Sequence, residues 1–124
     1  MDRESDHGIN GDQNEPNAEV LRHFAALGGV KLLLCHHPEY FMPYIRRTDI
    51  ALTVCGHAHG GQWRFFGRGV YAPGQGLLPR YTAGVIENRC VISRGLGNHT
   101  RIPRICNRPE LVIIQYGEPR KQLT

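Results

Sequence analysis

The chain lacks any Cys-x-x-Cys pair and any apolar run long enough to cross a bilayer. Wide spacing of its four cysteines argues against a zinc ribbon and against a small disulfide-stabilised scaffold. Three of them fall in or beside apolar runs, where a reduced cysteine acts as a small hydrophobic residue. No segment resembles a signal peptide. These absences favour a reducing compartment and predict a cytoplasmic location.

Lysine is also scarce, with Lys31 and Lys121 beside thirteen arginines. Between residues 60 and 110, eight arginines stand against two glutamates. Guanidinium groups match phosphate and carboxylate oxygens, so this half favours an anionic ligand, although an ordinary basic surface explains the charge equally well. No segment combines a dense basic stripe with interleaved aromatic residues, and we therefore expect no nucleic-acid partner.

The first half of the chain predicts an α/β arrangement within one domain. Residues 1–16 are polar and acidic, and are interpreted as a disordered tail or a loop truncated from a longer protein. Asn17 is expected to cap a helix that ends at Leu27 before two glycines. Two apolar runs at 30–35 and 50–55 predict strands. A short helix over 38–47 would connect them as a parallel pair.

That connecting helix is expected to bury Phe41, Tyr44 and Ile45. The second half has short β-rich runs separated by glycine and proline, which predicts antiparallel strands. Its predicted strands cover residues 62–66, 85–87, 89–93 and 111–116. A tight hairpin is expected at Glu87-Asn88-Arg89.

Histidines follow both apolar runs of the predicted parallel pair. His36 follows the first run, while His57 and His59 follow the second within the segment Cys55-Gly-His-Ala-His-Gly-Gly-Gln62. The carboxyl ends of adjacent parallel strands share one edge of a sheet, and imidazole commonly binds divalent metals. The pattern therefore predicts a metal site, against the alternative that these histidines merely cap strand ends.

The other residues near this predicted site have two possible roles each. Arg94 and Asn98 would either contact a substrate phosphate or brace the loop after a strand. Gly60 and Gly61 would either let backbone amides approach a phosphate or simply form the turn. His37 is expected to point away from His36, either supporting it or lying at the surface.

Two further expectations concern side chains around the histidines. The sequence offers no evident carboxylate near His36, His57 and His59 that could act as a base or orient an imidazole. Trp63 and the adjacent Phe65-Phe66 pair are expected to pack in the core rather than contact a lipid or nucleoside.

Several motifs in a fixed order resemble one protein family. They are Leu-Leu-Cys-His-His-Pro-Glu at 33–39, Gly-His-Ala-His-Gly-Gly-Gln at 56–62, Tyr-Ala-Pro-Gly at 71–74, Tyr-Thr-Ala-Gly at 81–84, Ser-Arg-Gly-Leu-Gly-Asn at 93–98 and Arg-Pro-Glu-Leu at 108–111. Together they resemble the C-terminal half of a calcineurin-like metallophosphoesterase. The nearest resemblance is to a bacterial branch similar to UDP-2,3-diacylglucosamine pyrophosphatase and membrane-associated phosphodiesterases. It covers residues 17–118, followed by a tail at 119–124.

The resemblance implies a four-layer αββα sandwich with a two-metal site at its strand ends. His36 matches a ligand that shares one metal with His57, and His59 matches a ligand of the other metal. The metals would be Mn²⁺, Zn²⁺ or Fe. A metal-bridging hydroxide would hydrolyse a phosphodiester or pyrophosphate bond in a phosphate-containing small molecule or a lipid-linked substrate.

The chain also departs from the family's pattern. Family members carry the N-terminal motifs Asp-x-His, Gly-Asp-x-x-Asp and Gly-Asn-His-Asp/Glu, which complete the coordination of both metals. This chain does not contain these motifs in that order, and its partial matches at 11–15 and 97–100 are interpreted as coincidence. We therefore expect a fragment that lacks its N-terminal half, folds poorly or associates, and is close to inactive. The alternatives are a non-catalytic anion-binding module and a mononuclear His₃ zinc hydrolase. The branch often carries a membrane anchor, which adds the inner face of the membrane as an alternative location.

Overall fold

The computed structural model describes residues 15–98, 101–115 and 117. Most of the predicted N-terminal tail and all of the C-terminal tail lie outside the described residues. The elements are α1 (Ala18–Ala26), β1 (Leu32–Leu34), β2 (Leu52–Cys55), β3 (Arg64–Phe65), β4 (Arg68–Gly69), β5 (Tyr71–Ala72), β6 (Gly76–Leu77), β7 (Gly84–Ile86) and β8 (Cys90–Ile92). Short helical turns cover Pro38–Tyr40, Phe41–Ile45 and His59–Gly61.

A four-stranded mixed sheet in the order β1-β2-β8-β7 organises the fold. Strands β1 and β2 are parallel, with Leu32 opposite Leu52, which confirms the predicted parallel pair. Strand β8 also runs parallel to β2, and β7 pairs antiparallel with β8. The expectation of a purely antiparallel second half is therefore wrong, because β8 returns to the first sheet and extends its parallel part.

The remaining strands form two small antiparallel hairpins, β3-β4 and β5-β6. The predicted turn at residues 87–89 is confirmed, and its Glu87 and Asn88 both have positive φ. Described residues 111–115 form no strand, so the strand predicted there is wrong over that range. Leu111 and Ile113 are exposed. The apolar run at 111–115 forms no strand because no neighbouring strand pairs with its backbone in the described structure.

Helix α1 begins where the sequence predicts. The side-chain oxygen of Asn17 accepts hydrogen bonds from the backbone N–H groups of Glu19 and Val20, each at 3.1 Å. Leu21 is buried against the sheet, whereas Val20 is 41% and Leu27 47% exposed. Helix α1 therefore buries Leu21 fully, and Phe24 packs partly buried against the same core. No helix in the described part of the chain is both long and apolar enough to cross a membrane.

The connection between β1 and β2 is a 3₁₀ turn followed by one π-helical turn rather than a regular helix. Pro43 lies inside the π turn and has no N–H to donate, while the Arg46 N–H reaches back to the Phe41 carbonyl at 2.7 Å. Phe41 and Ile45 are buried as predicted. Tyr44 is 36% exposed, so the expectation that it points inward is wrong; the wide turn rotates it outward.

One face of the sheet carries the core. It combines the buried residues Leu21, Leu33, Cys35, Tyr40, Phe41, Ile45, Ile50, Cys55, Cys90 and Ile92. On the opposite face the apolar side chains of the two outer strands are exposed, with Leu34 at 79% and Val85 at 62%, whereas Val91 on the inner strand β8 is only 8% exposed. The result is a mixed α/β fold with few helices, in which a single layer of helix and turns covers one side of the sheet.

Candidate metal and anion site

Three parallel strands direct their carboxyl ends to the same edge of the sheet. His36 and His37 follow β1, His57 follows β2, and Arg94 follows β8. The strand register therefore brings together residues that are far apart in sequence. This edge is where open α/β sheets commonly form binding clefts.

The histidine rings after β1 and β2 are in close contact. The ring centroids of His36 and His57 are 4.4 Å apart, and those of His37 and His57 are also 4.4 Å apart. The rings of His36 and His37 lie 5.4 Å apart, edge to face. His37 therefore does not point away from the cluster as predicted. Strand β1 ends at Leu34, so the alternation of strand side chains no longer applies at His37.

A carboxylate also lies beside these rings, contrary to the sequence-based expectation. Glu39 Oε1 is 3.0 Å from His37 Nδ1, and both side chains are largely buried, at 20% and 14% exposure. The turn that begins at Pro38 folds Glu39 back toward the histidines. Gly74 allows this arrangement, because a Cβ there would collide with Glu39 Oε1. The only feature of the sequence that could have indicated this contact is the position of Glu39 two residues after His37.

Glu39 is held in its charged form. Burial alone would raise the pKa of the carboxyl group. The hydrogen bond with His37, together with a backbone hydrogen bond and the electrostatic attraction of His37, outweighs burial and lowers the pKa below its usual value. Glu39 can therefore fix the orientation of the His37 ring.

His57 is held in its neutral form. Burial is the largest cause, followed by the nearby His36 and His37, and together they lower the pKa of His57 to about 4 despite the opposing charge of Glu39. A neutral imidazole keeps a lone pair for a metal ion. His57 is therefore in the protonation state that a ligand requires at neutral pH.

His59 lies in the turn that follows, with a positive φ of 46°. Its backbone carbonyl accepts a hydrogen bond from Asn107 Nδ2 at 2.6 Å. The same amide group donates to the Gln62 carbonyl at 3.0 Å. Asn107 is buried and thus holds both ends of the turn together, a role that no local pattern in the sequence indicates.

The two glycines of this turn are required by close packing. A Cβ on Gly60 would collide with Asn107 Oδ1 and lie 2.9 Å from Arg94 Cγ. Gly61 has a φ of 80°, and its N–H donates to the Ala58 carbonyl at 2.6 Å. The structure thus gives both glycines a structural role. Their predicted contact with a phosphate stays a prediction.

Arg94 lies beside Gly60 and is paired with Glu110. Its Nη2 is 3.2 Å from Glu110 Oε1, and its backbone N–H donates to Glu110 Oε2 at 3.2 Å. Asn98 instead donates to the Ile102 carbonyl at 3.0 Å and is exposed. Both residues brace loops in this structure, and their predicted role in substrate binding stays a prediction.

The aromatic residues that follow the turn do not pack in the core. Trp63 is 39% exposed, Phe65 51%, and Phe66 completely exposed. Phe66 and Gly67 form the tip of the β3-β4 hairpin, where both have positive φ. The prediction of core packing is therefore wrong, because the hairpin is too short to turn these rings inward.

The donor atoms suit a divalent metal in part. Imidazole nitrogens are donors that Zn²⁺, Mn²⁺ and Fe all accept, and a carboxylate that orients a neighbouring imidazole supports such a site. Within residues 15–98 and 101–115, however, no group of three or more His, Cys, Asp or Glu side chains is arranged to hold a metal ion. The structure brings His36 and His57 together without completing a ligand shell around them.

Comparison with known proteins gives one relative. The chain is 33% identical over 92 residues to "Uncharacterized protein YpbG" of Bacillus subtilis (strain 168). The match covers 73% of this chain but 32% of that protein, so the chain spans about a third of its relative's length. No family model and no solved structure matches the chain.

Proposed function

We propose that this chain is part of a calcineurin-like, metal-dependent phosphoesterase. In this proposal His36, His57 and His59 bind divalent metal ions, and the whole protein hydrolyses a phosphodiester or pyrophosphate bond. The observation that supports it most is the 4.4 Å approach of the His36 and His57 rings at the carboxyl edge of two parallel strands. Such a pair of imidazoles, drawn from two strands, is suited to share one ion.

The partly open face of the sheet supports the finer architecture. Leu34 on β1, Val54 on β2 and Val91 on β8 lie opposite one another in the register. Val91 is 8% exposed, whereas Leu34 is 79% exposed, so the apolar row is uncovered toward the β1 edge. A second sheet packed on this face would give the four-layer αββα sandwich that we propose for the longer protein, with this chain as its C-terminal part.

In this proposal, each residue at the edge of the sheet has a distinct chemical role. His57 is neutral and can donate a lone pair, Glu39 orients His37, and Arg94 lies at the same edge, paired with Glu110. Two divalent cations bound here would neutralise phosphate charge and lower the pKa of a water molecule. The proposed substrate is a phosphate-containing small molecule or a lipid-linked phosphate, and its hydrolysis belongs to the whole protein.

Metal binding tests this proposal directly. The chain should be purified without affinity-tag metal, dialysed against Mn²⁺ or Zn²⁺, and its metal content measured by elemental mass spectrometry. We expect His36→Ala and His57→Ala each to reduce the bound metal strongly. His23→Ala is the matched control, because His23 is exposed on α1 and lies outside the cluster. Metal that is bound by the chain and is retained equally by all three variants would refute the assignment of these ligands.

The stoichiometry separates the alternatives. Two metal ions in the longer protein, with hydrolysis of a chromogenic phosphodiester that requires His57, would support the phosphoesterase. A single zinc ion lost on mutation of any one of the three histidines would support the mononuclear hydrolase instead. Absence of metal from the longer protein would leave anion binding as the better explanation of the basic surface.

A further inference from the structure

A second basic site lies beside the β3-β4 hairpin, apart from the histidine rings. It is a cavity of about 520 Å³, within the range of about 300–1,000 Å³ for small-molecule sites. The cavity is lined by Arg64, Arg68 and Arg80, together with Thr82. None of the described residues that line it is acidic. Three arginines and no acidic residue of the described chain therefore line one concave site.

Arg64 is fixed in place by its surroundings. Its Nη1 donates to the Gly60 carbonyl at 2.7 Å and to Thr82 Oγ1 at 3.0 Å, and its Nη2 donates to the Gly67 carbonyl. A guanidinium has five N–H donors, so these three bonds leave two for another acceptor. Partial burial and the charge of Arg94 lower the pKa of Arg64, against the opposing charge of Glu110.

The side chains of Arg68 and Arg80 brace no neighbouring group. Both residues are exposed, and neither side chain makes a hydrogen bond or ion pair with the described part of the chain. Other arginines of this region are paired: Arg94 bonds Glu110, and Arg89 bonds backbone carbonyls. Arg68 and Arg80 therefore keep their N–H donors available for a ligand beside the fixed side chain of Arg64.

We propose that this cavity binds a phosphate group through Arg68 and Arg80, with Arg64 as the third guanidinium. The oxygens of a phosphate group can accept several charge-assisted hydrogen bonds at once, whereas a carboxylate has only two oxygens to do so. The phosphate is either free or carried by a lipid headgroup. Leu78 lines the cavity and is 79% exposed, and Phe66 projects from the neighbouring hairpin, so apolar surface is present for a lipid. This proposal does not depend on the metal site.

The exposed side chains of Arg68 and Arg80 can be replaced without disturbing the fold, which allows a test variant and a matched control. Arg68→Gln with Arg80→Gln removes two charges from the cavity and breaks no bond in the described structure. Arg22→Gln with Arg47→Gln is the control, because both residues are exposed and lie elsewhere, and their side chains also make no hydrogen bond or ion pair within the described chain. Arg64 is left intact since it braces three neighbouring groups.

Inorganic phosphate should be titrated into the ¹⁵N-labelled 124-residue chain at constant ionic strength with a chelator present, so that no metal at the histidines can bind the anion. We expect saturable shifts of the Gly67 and Gly69 amides. In the cavity variant the affinity should fall about tenfold or more, as expected for the loss of charge-assisted hydrogen bonds. The control variant should match the wild type, and the same spectra show whether each variant is folded.

A second arm identifies the source of the phosphate. Vesicles of phosphatidylcholine with and without phosphatidic acid should be sedimented with the same proteins. Binding only to phosphatidic acid vesicles, lost in the cavity variant and kept in the control, would support a lipid phosphate. Phosphate binding without vesicle binding would support a free one. No binding in either arm, equal binding by both variants, or an equal response to acetate would overturn the proposal.

Discussion

Gly61 and Gly69 lie against each other, so that a Cβ on Gly69 would come within 2.8 Å of the Gly61 Cα. The contact joins the turn that carries His59 to strand β4. The Val70 N–H strengthens the junction by donating to the Gly61 carbonyl at 3.1 Å. The β3-β4 hairpin is thus positioned by a backbone-to-backbone contact that tolerates no side chain.

Gly69→Ala should therefore destabilise the fold. The added methyl group meets backbone and the Thr82 methyl at 2.9 Å rather than a flexible side chain, and such overpacking typically costs about 1–3 kcal/mol. Gly97→Ala is the control, because nothing lies within 4 Å of its Cβ position. Its effect should be small. Urea denaturation of the two variants measures the difference, and equal midpoints would show that the hairpin is not held by this contact.

Thiol reactivity should distinguish one cysteine from the other three. Cys35, Cys55 and Cys90 are buried, with the sulfurs of Cys55 and Cys90 3.7 Å apart, whereas Cys106 is exposed. Access of the reagent controls the rate. We expect one fast-reacting thiol per native chain with a disulfide reagent, and the remainder only after unfolding. Cys106→Ser should abolish the fast phase; two or more fast thiols in the native protein would contradict the buried arrangement.

The sequence predicts the parallel pair and the histidines at its edge because both depend on local patterns. Apolar runs define β1 and β2, and the parallel direction then places His36 beside His57. Strand β8 could not be placed in the same way, since its pairing with β2 depends on contacts between residues distant in sequence. Tyr44 was misplaced because the pattern for a regular helix does not reveal a π turn.

The missed residues of the site are also explained by distance along the chain. Asn107 braces the His59–Gly61 turn from 48 residues away, and no motif marks it. Glu39 is close in sequence, but its approach to His37 depends on the turn at Pro38 and on the space left by Gly74. Local patterns thus predict where site residues are placed, whereas their supporting contacts follow only from the packed structure.

Glu110 should make stability depend on acid pH. Its hydrogen bond with the Arg94 side chain is the largest cause that lowers the pKa of Glu110, outweighing the opposing effect of burial. The folded state therefore releases this proton more readily than the unfolded state. The stabilisation is complete above the ordinary pKa of the carboxyl group and is lost as pH falls through the lower folded value.

The comparison of Glu110→Gln with wild type checks this linkage. Thermal unfolding between neutral and strongly acid pH should show a shallower acid loss in Glu110→Gln, and a lower midpoint at neutral pH. Glu19→Gln serves as the control, because Glu19 is an exposed carboxylate with no ion pair in the described chain. A Glu110→Gln profile parallel to wild type would exclude a stabilising role for the pair.

Arg89 and Glu87 provide a contrast within one hairpin. Arg89 donates to the carbonyls of Arg46, Thr48 and Ile50 at 2.8, 2.8 and 2.6 Å, which ties the hairpin to the connection before β2. Glu87 forms an exposed ion pair with Arg46 at 2.8 Å. Exposed ion pairs contribute little, whereas removing a donor leaves partly buried carbonyls without their partner.

Arg89→Ala should accordingly cost about 1–3 kcal/mol of unfolding free energy, because three carbonyl groups lose a charged donor. Glu87→Gln should change stability little, and the small change should vanish at high salt. Chemical denaturation at low and high ionic strength measures both effects. A larger loss for Glu87→Gln than for Arg89→Ala would mean that surface charge, rather than backbone bracing by Arg89, ties the β7-β8 hairpin to the connection before β2.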